Sequence, residues 1–289
     1  MAFCSLQTVL QTVLKMTAFE PVAGSVEEEF GVPIPGVIQP QELWARTALK
    51  KVPEGKIAWG ELFGRVAPVV IDIGCGNGRS MLTSAIAQPD YDFLGVDILP
   101  VVIRYATRRG NQRGLANTRW AVIGGRELLV NHVEAGSVTE IHCYHPQPYY
   151  RKDQVGLRLI TPEFLSLVHR SLVSGGRFVI QTDHPGYWAY MTRILPVFFE
   201  FREQKGPWPH AIKGITRREI IARSRGLPIF RGEGIARSDL DSEKAISLAE
   251  ALPLPTFNAD RRLQALDALE RGDMGASGRS KNRPARRRR

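Results

Sequence analysis

Residues 68–78 read Pro68-Val69-Val70-Ile71-Asp72-Ile73-Gly74-Cys75-Gly76-Asn77-Gly78, and this stretch decides the fold class. The apolar residues before the glycines predict a parallel strand buried on both faces, where apolar residues run continuously instead of alternating. The glycines allow the backbone to turn sharply and to approach a ligand closely. A helix-like segment begins at Arg79. Strand, glycine turn and helix in this order predict a nucleotide-binding turn, against the alternative of a glycine-rich turn that binds nothing.

The spacing of the glycines separates two classes of ligand. A dinucleotide fingerprint, G-x-G-x-x-G, would need glycine at position 79, where the chain has Arg79. The pattern D-x-G-x-G-x-G instead resembles the first motif of class I S-adenosylmethionine methyltransferases. A second apolar run, residues 93–96, ends at Asp97, where such sheets place a carboxylate on ribose hydroxyls. The resemblance implies that S-adenosylmethionine is held by Asp72, Gly74, Gly76, Gly78, Asp97 and Ile98.

Helix-like and strand-like segments alternate after the turn. Helices are expected at residues 79–87, 101–113, 126–132, 162–172 and 186–194, and strands at 92–97, 119–123, 137–144, 177–181, 197–201 and 229–230. Such alternation predicts a parallel sheet. The expected fold is therefore α/β, a doubly wound, mostly parallel, Rossmann-like sheet, and the methyltransferase resemblance implies seven strands. Residues 43–51, before the glycine turn, are also expected to be helical.

Length and composition favour one large domain with extensions. Of 289 residues, 43% are hydrophobic, enough for a sizeable core, and no apolar run approaches the length of a membrane span. Three cysteines are too few and too scattered for a disulfide framework or a zinc site, which favours a reducing cytoplasm and no metal. We expect an N-terminal extension at 1–40, the main domain at 41–238, a linker with a short amphipathic helix at 239–278, and a basic disordered tail at 279–289.

The net charge of +10 is concentrated at the C-terminal end. The last eleven residues contain no acid and seven basic residues, which are Arg279, Lys281, Arg283, Arg286, Arg287, Arg288 and Arg289. Such a tail would condense on phosphates without reading base sequence. A solvated tail without a partner remains an equal alternative.

Unusual residues follow the strands that should end near the ligand. The segment after the expected strand 137–144 is His145-Pro146-Gln147-Pro148-Tyr149-Tyr150-Arg151-Lys152, in which tyrosines could stack on bases and the basic residues could contact phosphates. The tyrosines could equally pack in the core. Thr182-Asp183 follows the next strand, and Thr216-Arg217-Arg218-Glu219 lies further on. Asp183 could cap a helix, and Thr216 with Glu219 has the form of a capping box. His145 and His184 show no metal-ligand spacing and are taken as polar lining.

In this order the motifs resemble those of the tRNA (guanine-N7)-methyltransferases, over roughly residues 43–237. Two expected acids are missing, because Gln147 stands where the family has aspartate between two prolines, and Gly124 stands where it has an aspartate after the third strand. The resemblance implies that Gln147 and Asp183 are catalytic, that Gly124, Gly125 and Gln147 also contact the cofactor, and that tRNA is the partner. It assigns the substrate to Arg151, Lys152, Asp183, Thr216, Arg217, Arg218 and Glu219, with Arg158 and the 279–289 tail as further phosphate contacts.

The missing acids do not exclude the reaction. Guanine N7 carries a free lone pair and no proton, so it can attack a methyl group without a general base. The site must orient the guanine, accept hydrogen bonds from its N1–H and N2–H2 groups, and offset the positive charge that develops. Asp183 and Glu219 can do this, whereas the amide of Gln147 can accept but cannot offset charge. Two alternatives remain: an RNA-binding pseudoenzyme of the same fold, or a methyltransferase with another RNA or a small-molecule target.

Overall fold

The computed structural model describes residues 22–49, 51–150, 152–257 and 263–265, and is built around one large sheet. A hairpin of β1 (Glu28–Glu29) and β2 (Val32–Pro33) precedes it. The strands of the sheet are β3 (Val69–Ile73), β4 (Asp92–Asp97), β5 (Thr118–Val122), β6 (Val138–Tyr144), β7 (Leu172–Thr182), β8 (Phe199–Glu203) and β9 (Phe230–Ala236). They lie in the order β5-β4-β3-β6-β7-β9-β8, and β9 runs antiparallel to both of its neighbours. The expected doubly wound, mostly parallel, seven-stranded sheet is confirmed.

Helices cover both faces of this sheet. They are α1 (Trp59–Phe63), α2 (Arg79–Ala87), α3 (Pro100–Gln112), α4 (Gly125–Asn131), α5 (Pro162–Ser171), α6 (Pro185–Phe198), α7 (Arg217–Ser224) and α8 (Ser242–Ala251). Short 3-10 helices span Gln41–Leu43 and Lys152–Leu157. Side chains of α2 and α3 pack on one face, and those of α4, α5, α6 and α8 form the larger core on the other. Every residue of β3 is buried, as its unbroken apolar run predicts.

Trp120 explains several glycines of the sequence. Its indole is fully buried on the face covered by α2 and α3. A Cβ atom added at Gly78 or Gly95 would lie 2.8 Å from this ring, and one at Gly110 would lie 2.9 Å from it. Protein interiors have no room for such overlaps. The third glycine of the D-x-G-x-G-x-G turn therefore also serves the packing of the core.

Residues 43–49 correct one expectation, because they are not helical beyond the 3-10 turn that ends at Leu43. Ala48 forms a parallel bridge with Trp120, whose backbone N–H donates to the carbonyl of Thr47 at 3.2 Å. The side-chain oxygen of Asn111 accepts from the backbone N–H of Thr47 at 3.0 Å. The free edge of β5 thus offers this segment backbone partners, and extended pairing prevails over helix propensity.

The expected domain boundary at residue 238 is also corrected. Leu240 and Ala245 are buried in the main core, and Tyr190 of α6 donates to the carbonyl of Pro253 at 2.9 Å. The ring of Phe257 lies 4.9 Å from that of Tyr187. Residues 240–257 are therefore part of the domain. Residues 1–21 lie outside the described residues, as do residues 258–262 and 266–289 of the expected linker and tail.

The order of the strands determines where a ligand would bind. The chain builds β3, β4 and β5 on one side, then crosses to β6 and β7 on the other. Ligands of open α/β sheets bind at such a switch point, outside the carboxyl ends of the strands. Here the glycine turn follows β3, and His145 follows β6. Among the residues that the structure describes, every helix is too short or too polar to span a membrane.

Candidate active site

A cavity of about 670 Å³ opens at this switch point. The glycine turn and the start of α3 line one side, and the segments after β6 and β7 line the other together with the start of α7. Of the residues expected to act, the lining contains Gly74, Gly76, Asp97, Gln147, Asp183, Thr216, Arg217 and Arg218. The fold thus brings together residues that are more than 140 positions apart in the sequence.

The glycine turn adopts a conformation that other residues rarely reach. Gly74 and Gly76 have φ values of 75° and 53°. Asp97 stabilises the turn, since its Oδ2 accepts from the backbone N–H of Gly76 at 3.1 Å and its Oδ1 from that of Leu99 at 2.9 Å. Burial raises the pKa of Asp97. Each of its oxygens keeps a second lone pair, so the carboxylate can still accept from a ligand.

Asp72 lies beneath the turn rather than in the lining. It is 2% exposed, and its Oδ2 accepts from Ser80 Oγ at 2.6 Å. Its Oδ1 is buried with no hydrogen-bond partner among the described residues. Burial raises the pKa of this carboxyl to about 6. An orphaned buried acceptor of this kind is costly and is expected mainly at functional sites.

The pair Gly124-Gly125 lies next to the Asp97 end of the cavity but outside its lining. The backbone N–H of Ile123 donates to the carbonyl of Asp97 at 3.1 Å, and a Cβ at Gly124 would lie 3.9 Å from Ile98. A Cβ at Gly125 would lie 2.2 Å from Ile73, so packing on β3 explains this glycine. The side chain of Ile98 is 63% exposed. Cofactor contact by Ile98, Gly124 and Gly125 stays a prediction.

Asp183 is the acidic group on the opposite side of the cavity. Its Oδ2 accepts from Arg218 Nε at 2.7 Å, and its Oδ1 lies 3.4 Å from His145 Nδ1. Burial alone would raise the pKa of Asp183, but the hydrogen bond from His145 and the charge of Arg218 outweigh it and hold the pKa well below its usual range. The carboxylate is therefore ionised at neutral pH, with one lone pair still available on each oxygen.

Glu219 lies behind the lining and does not reach the cavity. Its side chain is fully buried and paired with Arg231. Its Oε2 also accepts from the backbone N–H of Ile215 at 2.9 Å and from Gln181 Nε2 at 3.1 Å. The geometry thus favours a supporting role for Glu219 over the direct guanine contact that the family resemblance implied.

The start of α7 faces the cavity, and Thr216 both lines the cavity and caps this helix. Its hydroxyl accepts from the backbone N–H of Glu219 at 3.0 Å, which is the helix cap that the sequence offered as an alternative. Arg217 Nε lies 3.3 Å from Glu29 of the hairpin, and Glu29 accepts from Asn77 Nδ2 at 2.9 Å. The hairpin therefore links α7 to the glycine turn across the mouth of the cavity.

The expected phosphate contact at Arg158 is corrected. This side chain is 3% exposed and donates to the backbone carbonyls of Pro148, Tyr149 and Pro255 at 2.6, 3.0 and 2.5 Å. Its guanidinium also lies 3.5 Å from the centre of the Phe257 ring. Arg158 thus holds the loop after β6 onto the domain. Arg151, the side chain of Lys152 and residues 279–289 lie outside the described residues.

Sequence reasoning missed Gln181 and Trp208, and it took His145 only as polar lining. Gln181 is fully buried, its Oε1 accepts from Trp208 Nε1 at 2.8 Å, and its Nε2 lies 2.9 Å from His145 Nε2. These partners are 27 and 36 positions away from Gln181, so no local pattern could indicate them.

Within the described ranges, no three His, Cys, Asp or Glu side chains form a group that could hold a metal ion.

Comparison with known proteins decides the family. The family model Methyltransf_4, described as "Putative methyltransferase", matches residues 66–231. A tRNA (guanine-N(7)-)-methyltransferase of Halorhodospira halophila is 33% identical over 165 residues, which are 57% of this chain and 71% of that protein. The chain belongs to the tRNA (guanine-N7)-methyltransferase family.

This family of S-adenosylmethionine-dependent transferases is the one expected from the motifs, and that prediction is confirmed. A second member, from Saccharophagus degradans, is 32% identical, and the alignment covers 49% of this chain and 62% of that protein, slightly less than two thirds of its length. The fold is also similar to the crystal structure of the 16S rRNA methyltransferase KamB, with a TM-score of 0.50 and 16% identity. This superposition covers 66% of this chain and 98% of KamB. At that identity the likeness to KamB shows the class I methyltransferase fold alone.

Proposed function

We propose that this chain transfers the methyl group of S-adenosylmethionine to N7 of a guanine in tRNA. The observation that carries the proposal is the cavity itself, in which the glycine turn and the ionised carboxylate of Asp183 face the same space. One side offers the backbone geometry that cofactor binding needs. The other side offers an acceptor for the Watson–Crick edge of guanine.

The residues on the β3 side fit S-adenosylmethionine. The cofactor supplies an activated methyl group on a positively charged sulfur. Gly74 and Gly76 would let it approach the backbone, Asp97 would accept from its ribose hydroxyls, and Gly78 would support the turn from the core. Ile98, Gly124 and Gly125 would flank its adenine. Asp72 would act from below, because its orphaned Oδ1 and Ser80 lie directly under the turn.

The residues on the β6 and β7 side would bind and orient guanine. Asp183 would accept hydrogen bonds from the N1–H and N2–H2 groups and would offset the positive charge that forms on the purine. Gln147 is exposed between Pro146 and Pro148 and would accept through its amide oxygen near the methyl donor. Arg217 and Arg218 lie in the first turn of α7, which Thr216 caps, and would place positive charge beside the flanking phosphates. No residue needs to remove a proton from N7.

The partner would be tRNA in the cytoplasm, held mainly by its phosphates. Arg151, Lys152 and residues 279–289 remain proposed phosphate contacts. Arg104 and Arg108 join them, since both are exposed on α3, where Tyr105 lines the cavity. Deleting residues 279–289 is expected to weaken tRNA binding and to reduce the slope of log affinity against log salt concentration, because fewer counterions are released. Binding titrations at several salt concentrations measure this, and an unchanged slope contradicts the role of the tail.

The direct test incubates the protein with labelled S-adenosylmethionine and unmodified tRNA, then maps N7-methylguanine by strand scission. The native chain should label tRNA at a guanine, and Asp183→Asn should lose about 100-fold in kcat while cofactor binding is retained. Asp90→Asn, which changes an exposed aspartate outside the cavity lining, is the matched control. Absence of label under conditions where the cofactor binds would contradict the proposal.

The same assay separates the two alternatives. A pseudoenzyme would bind tRNA without turnover, and the amide at Gln147 is the feature that favours it. An enzyme with a small-molecule or different RNA target would bind the cofactor, but bulk tRNA would not compete for its substrate site. Binding of the cofactor, binding of tRNA and turnover are therefore measured separately.

A further inference from the structure

The orientation of the buried amide of Gln181 is determined by two neighbours. Its Oε1 accepts from Trp208 Nε1 at 2.8 Å, and its Nε2 donates to Glu219 Oε2 at 3.1 Å. An indole N–H can only donate, and the carboxylate of Glu219, paired with Arg231, accepts. Rotating the amide would place oxygen against oxygen and N–H against N–H. The Gln181 nitrogen must therefore face His145.

This orientation determines which nitrogen of His145 carries the proton. Gln181 Nε2 lies 2.9 Å from His145 Nε2, and the amide nitrogen can only donate in this contact. His145 Nε2 must therefore accept and be unprotonated. The ring proton then lies on Nδ1, 3.4 Å from Asp183 Oδ1. The buried amide of Gln181 thus determines that His145 presents a hydrogen-bond donor to Asp183 in the cavity.

The backbone of His145 is strained, and it is held by the same residue that contacts its ring. Its φ of 53° is one of three positive values among the non-glycine residues that the model describes. The backbone N–H of His145 donates to the carbonyl of Gln181 at 2.6 Å. Gln181 therefore holds both the backbone and the ring of His145. Strained backbone of this kind persists where the surroundings over-determine it, typically at functional sites.

We propose that His145 is a positioning residue, held by Gln181 as the Nδ1–H tautomer, which donates to Asp183 and orients its carboxylate for guanine. With Arg218 on Oδ2 and His145 on Oδ1, the carboxylate is fixed in its plane. Because Asp183 lines the cavity, the lone pairs that remain on its two oxygens would serve guanine as a two-pronged acceptor. The role in orienting guanine rests on the proposed function, whereas the tautomer does not.

The tautomer is measured by NMR on the native chain with ¹⁵N-labelled histidine. Long-range proton–nitrogen correlations distinguish a protonated Nδ1 from a protonated Nε2, and the signal of His145 is identified by its loss in His145→Asn. The expected result is a protonated Nδ1 and an unprotonated Nε2 at neutral pH. A protonated Nε2 overturns the proposal, whether or not the chain methylates tRNA.

Two amide variants test the positioning role. In His145→Asn the side-chain nitrogen can occupy the place of Nδ1 and still donate to Asp183. In His145→Gln the amide reaches the place of Nε2 and can serve Gln181, but the donor toward Asp183 is lost. We expect His145→Gln to lose about tenfold in kcat/KM for tRNA and His145→Asn to stay close to the native chain. Cofactor affinity should be equal in both.

Thermal unfolding of both variants separates positioning from folding. The proposal requires the difference between the variants to appear in tRNA turnover at equal cofactor affinity and with both chains folded at the assay temperature. Equal losses in the two folded variants overturn it. If the native chain itself is inactive on tRNA, the proposed function fails, and the NMR result still decides the tautomer.

Discussion

At the scale of single residues, Gln147 is the departure that bears most directly on the chemistry. It is exposed in the cavity lining, between two prolines, where the family resemblance led us to expect a carboxylate. An amide can accept a hydrogen bond but carries no charge to offset the cationic purine. Asp183 lines the same cavity as an ionised carboxylate and would supply that charge in the proposed reaction.

Gln147→Asp and Gln147→Asn have the same size and differ only in charge. We expect Gln147→Asp to exceed Gln147→Asn in kcat by about tenfold, because only the carboxylate stabilises the positive charge of the methylated guanine. Single-turnover labelling of tRNA with both variants measures the ratio. Equal rates would mean that position 147 does not face the developing charge.

The expected site residues differ in how far sequence could place them. Asp97 and Asp183 follow strands that periodicity identifies, so their position at the carboxyl edge could be predicted. Arg158 could not, since two of its partners, Pro255 and Phe257, lie 97 and 99 positions away. The sequence showed only that Arg158 is basic, and burial decided its role.

At the scale of elements, α7 positions the arginines that face the cavity. Thr216 caps this helix, and Arg217 and Arg218 occupy its first turn. Without the cap, the first turn loses a hydrogen-bond acceptor and frays. The backbone that positions both guanidinium groups is then no longer held in place. The hairpin contact between Arg217 and Glu29 depends on the same turn.

Thr216→Ala is expected to lower the free energy of unfolding by about 1 kcal/mol and to lower kcat/KM for tRNA as α7 frays. Thr216→Asn should retain both quantities, since asparagine is a good helix cap. Urea denaturation and tRNA methylation assays on the two variants measure this. A stable but inactive Thr216→Asn variant would instead indicate direct contact between the Thr216 hydroxyl and the substrate.

At the scale of the whole molecule, the buried carboxyl of Asp72 links stability to pH. Burial raises its pKa from 3.8 to about 6. Between these values the folded chain binds more protons than the unfolded chain, so the free energy of unfolding falls as pH rises through this window. The loss is at most roughly 3 kcal/mol. Below this window Asp72 is protonated in both the folded and the unfolded chain, and no free energy of unfolding is lost. Above it Asp72 is ionised in both, and the loss stays constant.

Asp72→Asn should make this decline shallower, because the amide does not titrate and only the raised pKa of Asp97 then contributes a decline of the same sign. The check is urea denaturation of the cofactor-free chain at several values between about pH 4 and pH 6. The native chain and the exposed-site control Asp90→Asn should share the decline, and Asp72→Asn should show a shallower one. If all three chains show the same slope, Asp72 is not the titrating group. The variant should also bind S-adenosylmethionine more weakly than the native chain.

The sequence by itself determined the order of strands and helices, the glycine turn and the family, because these depend on local periodicity and on motifs a few residues long. The tertiary structure decided what surrounds Asp183. The strands β6 and β7 end where α7 begins, and this brings together His145, Gln181, Glu219 and, from the segment before α7, Trp208. The hydrogen-bonded partners are 27 to 38 positions apart in the sequence. Hydrogen-bond geometry depends on distances in space, which no spacing along the chain encodes. The glycine turn thus indicated a family that uses S-adenosylmethionine, and the packing around Asp183 defined the candidate acceptor site.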